Sequence, residues 1–286
     1  MKLPQKRMIY HFYISNEWNV SITNKIHFAC LKKYAHIFNE VIICLSIDNI
    51  EDKETIKNVE LFFLDLGLTP NITFKIIENS YLRDAETFYN EIVLKLGDYG
   101  GLTFFAHNKG TTNLRTMAID EVSKWITSLY YFSLEYVDEM VYLLTDGREM
   151  SYGPLLVAID YNKLPEILDE GTSKYDFIDR ANVVLGKNKY FYMGTFFWLN
   201  TLAITDYIKK NNIEIPQLND RWYAENFFAN IYPLGFAYSH NGKYSINYLN
   251  GGVDIDTLIN HIATESEKKA FEEFNKSIIN EQVWWK

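Results

Sequence analysis

Polar residues follow each of four short apolar runs in the first part of the 286-residue chain, and some of them could carry chemistry. The most distinctive group is His107-Asn108-Lys109-Gly110, which follows the apolar run Thr103–Ala106. A lysine ammonium is a compact charge that suits phosphate oxygens, and an imidazole two residues away could bind the same group. The tetrapeptide therefore indicates an anion site suited to a diphosphate. The alternative is a solvent-exposed turn with Gly110 at positive φ, which the spacing alone favours.

The residues after the other apolar runs add candidates for ligand contact. Ligands of open α/β sheets bind at the carboxyl ends of the strands, so these positions would share one edge with His107 and Asn108. Each residue taken alone is more typical of a solvent-facing strand end than of a functional site. The candidates are Ser15 and Asn16 after the first run, Ser46 and Asp48 after the second, and Asn79, Arg83 and Asp84 after the third.

A glycine and a threonine lead into an aromatic run later in the chain. Gly194 and Thr195 precede Phe196–Trp198, and a glycine in a strand is typical of a close backbone approach. The approaching group could be a ligand or another strand. A buried core strand would explain the phenylalanines and leave Thr195, Trp198 and Asn200 open to other roles.

The elements that must position these residues follow from hydrophobic patterning. Apolar runs alternate with amphipathic segments from Met8 to Asn108, which predicts βα units on a largely parallel sheet. The predicted strands are Met8–Ile14, Val41–Ile47, Ile72–Ile77, Leu102–Ala106, Pro154–Ile159, Tyr190–Leu199 and Gly235–His240. The predicted helices are Ile22–Phe38, Lys53–Leu66, Ala85–Leu96, Thr116–Leu144, a segment ending at Ile208, and Asp220–Ile231.

The pattern predicts an α/β fold, with one domain over residues 1–250 and a C-terminal helical tail over residues 251–286. The tail has apolar residues at helical spacing and ends in Trp284-Trp285-Lys286, as a membrane-surface helix would. Its polar face is rich in glutamate, which an anionic leaflet repels. Docking on the domain or on a second subunit is therefore favoured over membrane contact.

Composition excludes several classes of protein. The net charge is −9 and there is no block of lysine or arginine, so nucleic acid is not an expected partner. Cys30 and Cys44 lack metal-ligand spacing and are predicted to be reduced core thiols. The basic start lacks a signal-peptide cleavage site, and no apolar stretch reaches the roughly 20 residues of a membrane span. We expect a cytoplasmic protein, with contact at the inner face of the membrane as a further option.

The ordered motifs resemble a known family. Asn79, Arg83-Asp84 and Phe88, then His107-x-Lys109, then Gly194–Trp198 are similar to segments of bacterial glycosyltransferases related to the rhamnan synthesis F family. The resemblance covers about residues 8–240 in short islands. The chain departs from the family at Ser80–Leu82, where the family has a glycine, and at Phe196, where methionine is common.

This resemblance implies a GT-A-like domain that transfers a sugar from a nucleotide-diphosphate donor to a surface glycan such as capsule or lipopolysaccharide. Ser15, Asp48, Asn79, Arg83, Asp84, Asn108 and Thr195 would then contact the donor. His107 and Lys109 stand where an Asp-x-Asp metal motif is usual, and a fixed cation could offset the charge of the leaving diphosphate. We therefore expect no catalytic metal and no other cofactor.

Direct displacement of the diphosphate also requires a base, and the resemblance favours Glu225, with Asp220 as a second candidate. Glu225 lies in the helix-like segment Asp220–Phe228, whose aromatic residues could frame a sugar. A base suits an inverting displacement, and the sequence leaves retention open as the alternative. A solvated helix carboxylate is an equal alternative for Glu225. The alternative for the whole chain is a non-catalytic carbohydrate-binding or scaffold protein of a glycan-assembly complex.

Overall fold

The computed structural model describes residues 4–68, 71–108, 119–154, 156–158, 190–192, 194–243 and 255–281. The strands in this part of the chain are β1 (Lys6–Tyr13), β2 (Glu40–Ile47), β3 (Ile72–Glu78), β4 (Leu102–His107), β5 (Ser151–Tyr152), β6 (Leu156–Ala158), β7 (Tyr190–Tyr192), β8 (Phe197–Asn200) and β9 (Ala237–Tyr238). The helices are α1 (Ile22–Tyr34), α2 (Lys53–Asp65), α3 (Asp84–Glu91), α4 (Ile119–Leu134), α5 (Val137–Thr145), α6 (Thr201–Asn211), α7 (Tyr223–Ile231), α8 (Ile255–Ile262) and α9 (Glu265–Glu281).

A seven-stranded sheet in the order β3-β2-β1-β4-β8-β5-β9 forms the centre of the fold. Strands β1 to β4 are parallel, and β8 runs antiparallel to β4, with Phe105 opposite Phe197. Strands β6 and β7 form a separate antiparallel pair. The predicted α/β fold with a mostly parallel sheet and flanking helices is confirmed, and the ends of the first four predicted strands lie within two residues of the observed ones.

The alternation of side chains along β1 divides the core between the two faces of the sheet. Phe12 faces α1 and α2, where its ring lies 5.6 Å from that of Phe28 and 5.2 Å from that of Phe63. On the other face, Phe88 of α3 lies 5.3 Å from the rings of both Phe105 and Phe227 of α7. Each fully buried aromatic side chain contributes roughly 1.5–3 kcal/mol, so these clusters fix α3 and α7 against the sheet.

Two of the predicted elements are wrong in a way that matters for the site. The single helix predicted over Thr116–Leu144 is two helices, α4 and α5, because Tyr136 leaves the helical region at φ −102° and ψ 32°. The single strand predicted over Tyr190–Leu199 is interrupted at Gly194 and Thr195, whose φ angles are +87° and +53°. Positive φ breaks a strand, so β7 and β8 join different sheets.

Further boundaries shift where short 3-10 turns replace regular structure. Such turns occupy Ala35–Ile37 after α1 and Val93–Lys95 after α3, so the predicted helices end earlier. The strand predicted over Gly235–His240 is limited to β9, which lies between 3-10 turns at Leu234–Phe236 and His240–Gly242.

The described part of the tail, residues 255–281, packs against α4 and α1. Phe271 and Ile278 of α9 are buried in the same core as α1, α2 and α4. Lys124 of α4 binds Asp256 (2.5 Å) and Glu272 (3.0 Å). The predicted boundary at residue 250 lies outside the described residues. Among the helices that the structure describes, none combines the length and the apolar character needed to cross a bilayer.

The order of the parallel strands creates a switch point between β1 and β4. The chain runs from β1 outward through β2 to β3, and then returns to place β4 on the opposite side of β1. The helices α1 and α2, which follow β1 and β2, pack on one face of the sheet, whereas α3, which follows β3, packs on the other. In open α/β sheets, a crevice at such a point is the usual place for a ligand.

Candidate functional site

The Asn108 side chain links the end of β4 to the end of β1 at the switch point. Its side-chain oxygen accepts the backbone N–H of Tyr13 (2.9 Å), and its side-chain nitrogen donates to the Tyr13 carbonyl (3.0 Å) and to Asn24 (3.3 Å). The side-chain amide therefore extends the hydrogen bonding between β4 and β1 by one residue. Asn108 is 4% exposed, and its observed contacts are those of a residue that positions the strand ends.

Four polar side chains at the ends of β1, β2 and β3 form one hydrogen-bonded group, which we call the strand-end cluster. Asp48 accepts from the Tyr13 hydroxyl (2.9 Å) and from the Asn79 amide (2.7 Å). Asn79 in turn accepts from the Ser46 hydroxyl (3.3 Å). Asp48 is exposed, so its carboxylate also faces solvent. The cluster is Tyr13, Ser46, Asp48 and Asn79.

Tyr13 was not among the sequence candidates because it belongs to the apolar run of β1. The available signal was its hydroxyl at the last position of the strand. Partial burial and the adjacent Asp48 carboxylate raise the pKa of the Tyr13 phenol, while nearby Arg83 lowers it. Tyr13 is therefore a neutral donor at physiological pH. Arg83 itself is exposed beside this cluster.

The backbone at Gly194 and Thr195 forms the second part of the site, the Gly194–Thr195 turn. His107 Nε2 donates to the Gly194 carbonyl oxygen (3.0 Å), which fixes the tautomer with the proton on Nε2. A Glu225 carboxylate oxygen accepts the Gly194 N–H (3.3 Å). The Thr195 hydroxyl donates to Asp84 Oδ2 (3.0 Å). Side chains from β4, α7 and α3 thus hold two residues in one conformation.

Backbone strain is concentrated at this turn. Thr195 and Arg83 both have φ of +53°, and Thr195 is β-branched, a type that rarely adopts this conformation. Each such residue costs about 1–3 kcal/mol, which the surrounding contacts must offset. The hydrogen bond from Thr195 to Asp84 joins the two strained positions, because Asp84 directly follows Arg83. The structure therefore fixes the geometry here at an energetic cost.

Glu225 lies in the first turn of α7, within the protein. It is 6% exposed, in contrast to the half-buried Asp84 at the start of α3. The aromatic contact of Phe88 with Phe227 holds α3 and α7 together, and their first turns flank the Gly194–Thr195 turn from two sides. The site thus has two carboxylates of different accessibility on either side of one turn.

The remaining predicted site residues divide into those near this edge and those not described. Ser15 is half-buried directly after β1, and its carbonyl accepts the N–H of Trp18 (3.0 Å). Asp220 accepts the backbone N–H of Trp222 (2.7 Å) and is a turn residue before α7. Lys109 and Gly110 lie outside the described residues. The anion-binding role of Lys109 therefore stays a prediction.

His11 is a buried titratable residue on the inner side of the same edge. Its ring Nδ1 shares a hydrogen bond with the Thr87 hydroxyl of α3 (2.8 Å). Burial lowers the pKa of His11, while the nearby Asp84 and Glu86 carboxylates raise it. His11 is therefore a neutral residue that fastens β1 to α3, as expected of a satisfied core histidine.

Comparisons with known proteins give remote structural matches only. No protein-family model matches the sequence, and no curated protein does. Among solved structures, 4-diphosphocytidyl-2C-methyl-D-erythritol synthase from Anaerococcus prevotii DSM 20548 matches with a TM-score of 0.37 and 11% identity, over 95% of this chain and 99% of that chain. TarS 1–349 from S. aureus matches with a TM-score of 0.37 and 12% identity, over 98% and 71%.

A third match is core-mannan synthase A (CmsA/Ktr4) from Aspergillus fumigatus in its Mn/GDP form. Its TM-score is 0.31 at 8% identity, over 90% of this chain and 86% of that chain. All three TM-scores lie below 0.5, so function has to be inferred from the site of this chain.

A divalent metal would need carboxylate or imidazole ligands close together. Within the described ranges, no three histidine, cysteine, aspartate or glutamate side chains come together as a metal site. Asp48 and Asp84 belong to different groups, and each accepts a hydrogen bond from a neutral side chain. No chemical step is therefore assigned to a metal.

Proposed function

We propose that this chain is a GT-A-like glycosyltransferase that transfers a sugar from a nucleotide-diphosphate donor to a glycan acceptor of the cell surface. The observation that carries the proposal is the pairing of two groups at the switch point. One is the strand-end cluster, whose exposed Asp48 carboxylate and half-buried Tyr13 and Asn79 would offer hydrogen-bonding groups to a nucleoside. The other is the strained Gly194–Thr195 turn, which is flanked by two carboxylates where the sugar would react.

The donor would lie across the carboxyl ends of β1, β2 and β3. Asp48 has acceptor capacity beyond Tyr13 and Asn79, and a nucleoside offers N–H and hydroxyl donors. Ser15 would border the same position after β1. Arg83 would place a positive charge near the diphosphate, and Asp84 with Thr195 would contact the sugar. Asn108 supports this arrangement by fastening β4 to β1.

The reaction would be a direct displacement with inversion. Glu225 would take the proton from the attacking acceptor hydroxyl as the bond between the anomeric carbon and the diphosphate breaks. Lys109 would neutralise the leaving diphosphate, so that no metal is required. His107 Nε2 already donates to Gly194, so a hydrogen bond from His107 to the diphosphate would need the doubly protonated ring, with Nδ1–H as the donor. Such an enzyme would act in the cytoplasm or at the inner face of the membrane.

A thermal-shift panel tests the proposal directly. UDP, GDP, dTDP and CDP are each added with Mn²⁺ or with a chelator. A ligand at about 100 times its Kd stabilises the native state by about 2.7 kcal/mol, which a melting curve detects. Stabilisation by one nucleotide that persists with the chelator is the expected result. Stabilisation only with Mn²⁺ would contradict metal independence, and no stabilisation by any nucleotide would contradict the donor class.

A non-catalytic glycan-binding protein is the second candidate, and one observation favours it. Glu225 is buried and accepts the Gly194 N–H, as a purely structural residue would. An enzyme should slowly hydrolyse its donor sugar even without acceptor, whereas a binding protein should not. Release of nucleoside diphosphate from the donor that the thermal-shift panel identifies therefore separates the two candidates.

A further inference from the structure

Arg221 and Arg83 are exposed arginines that form no ion pair among the described residues, and only Arg83 belongs to the site already described. Arg7 is buried and donates to Thr103 (2.9 Å), Arg148 forms an ion pair with Asp146, and Arg83 lies beside the strand-end cluster. Arg221 is exposed, and no carboxylate within the described residues pairs with it. Its guanidinium is therefore available to a ligand.

Arg221 is nevertheless held in place, because it stacks on an aromatic ring. Its guanidinium carbon lies 4.3 Å from the centre of the Trp222 ring. Trp222 is half-buried, and its indole N–H makes no hydrogen bond within the described ranges. Asp220 accepts the backbone N–H of Trp222 and so fixes the start of the turn. We call these two side chains the Arg221–Trp222 platform.

The platform adjoins the candidate site through α7. The carbonyl of Trp222 accepts the backbone N–H of Glu225 (3.0 Å), and the Glu225 side chain reaches Gly194. Trp222 and Glu225 are three residues apart at the start of the helix, which brings them to the same side. A molecule that lies on the platform would therefore extend toward the proposed base.

We propose that the Arg221–Trp222 platform binds the acceptor and selects an acceptor sugar that carries a negative charge, as a carboxylate or a phosphate. An indole ring offers an apolar face to the C–H groups of a sugar and an N–H to its hydroxyls. A guanidinium binds carboxylate or phosphate oxygens through two parallel hydrogen bonds. The polar atoms that the two side chains present are all donors, so a neutral sugar would leave the guanidinium unused.

The test measures binding of three probes by ligand-observed NMR, without any donor. The probes are a hyaluronan hexasaccharide, which carries glucuronate, glucose 6-phosphate and the neutral chitohexaose. The variants are R221Q and W222A, with R148Q as the control because Arg148 is also exposed and also lies over an aromatic ring, that of Tyr142 (5.7 Å). Circular dichroism of each variant shows that the fold is retained.

The expected result is that the wild-type protein prefers one of the charged probes to chitohexaose. R221Q should weaken binding of that probe about tenfold and abolish the preference, whereas R148Q should change neither. W222A should weaken both charged and neutral probes. The preferred charged probe identifies carboxylate or phosphate as the recognised group.

Equal responses of the wild-type protein to charged and neutral probes, or equal effects of R221Q and R148Q, would overturn the inference. It rests on the proposed transferase function, but its failure is distinguishable. A protein that binds a nucleoside diphosphate in the thermal-shift panel and shows no charge preference on the platform retains the proposed function and loses only this acceptor assignment.

Discussion

The two halves of the candidate site are built on opposite principles. The strand-end cluster reaches solvent through Asp48, its residues lie at ordinary backbone angles, and its hydrogen bonds join neighbouring strand ends. The Gly194–Thr195 turn is buried and strained, and side chains from three separate elements hold it. One half can adapt to a ligand, whereas the other is fixed before any ligand arrives.

This difference suits the two halves to different roles, ligand recognition and catalysis. Adaptable polar groups suit recognition of a nucleoside, since small rearrangements there cost little. Groups that must meet developing charge in a reaction benefit from being held in advance, because no energy is then spent on reorganisation during the step. Substitutions in the strand-end cluster should therefore change mainly nucleotide binding. Substitutions at the Gly194–Thr195 turn should change mainly turnover and the free energy of unfolding.

The largest effect is expected from Glu225→Gln. Loss of a general base lowers the rate constant by about 10²–10⁴-fold, while nucleotide affinity should stay within twofold because Glu225 is not part of the strand-end cluster. The measurement is transfer or donor hydrolysis, together with the nucleotide-induced thermal shift. Glu86→Gln is the matched control, as another carboxylate in the first turn of a helix. Unchanged turnover in Glu225→Gln would remove the base assignment.

Gly194→Ala should destabilise the fold by about 3 kcal/mol. Its φ is +87°, and an added Cβ would lie 3.3 Å from both terminal methyl groups of Leu129. Gly147→Ala has a similar backbone angle of +78° but nothing within 4 Å, so it should show the backbone cost alone, about 1–2 kcal/mol. Urea unfolding measures both. Equal losses would show that the packing at the turn is loose.

Asp48→Asn should weaken nucleotide binding about tenfold and lower the free energy of unfolding by about 1 kcal/mol, because Asp48 accepts two exposed hydrogen bonds. The substitution removes the charge of the carboxylate that accepts hydrogen bonds from Tyr13 and Asn79. A charge-assisted hydrogen bond to the ligand is lost with it. Glu51→Gln, in the same exposed loop, is the control. Calorimetric titration with the nucleotide that stabilises the wild type reports the result, and an affinity loss no greater than that of Glu51→Gln would place the nucleoside elsewhere.

Acid should destabilise the region where β1 meets α3. Because the pKa of His11 is lowered in the folded protein, the unfolded state takes up a proton first as the pH falls below its usual value near 6.5. The stability present at pH 7.5 is then partly lost by pH 5.5. His11→Asn should reduce this loss of stability. Part of the loss should persist, because the pKa of buried His240 is also lowered.

Urea unfolding at both pH values measures the effect of His11. His36→Asn replaces an exposed histidine and is the control. If His11→Asn and His36→Asn show the same loss of stability between the two pH values, then His11 is not the group that responds.

The smallest effect is expected from Ser46→Ala. It removes a long, 3.3 Å hydrogen bond from the buried Ser46 hydroxyl to the half-buried Asn79, so the cost should be about 0.5–1 kcal/mol in unfolding free energy. Nucleotide affinity should be almost unaffected, because Asp48 still holds Asn79. A loss of affinity as large as that of Asp48→Asn would show that the cluster is as rigid as the turn.

The two halves also differ in how far the sequence predicted them. The period of apolar residues identified β1 to β4, and with them the edge at which Asp48 and Asn79 lie. The same reasoning treated Tyr190–Leu199 as one strand, because the residue type of Thr195 gives no sign of a positive φ. It also could not show that Asn108 and His107 make backbone contacts, since their partners are 95 and 87 residues away.

The sequence by itself therefore determined the α/β order of the elements and which polar residues end the parallel strands, because strand periodicity and turn chemistry act over a few residues. Only the tertiary structure decided the Gly194–Thr195 turn, the strain at Arg83 and the burial of Glu225. These features arise where residues 31 and 111 positions apart are packed together. The free energy that sustains the strain comes from the whole core and not from the local sequence.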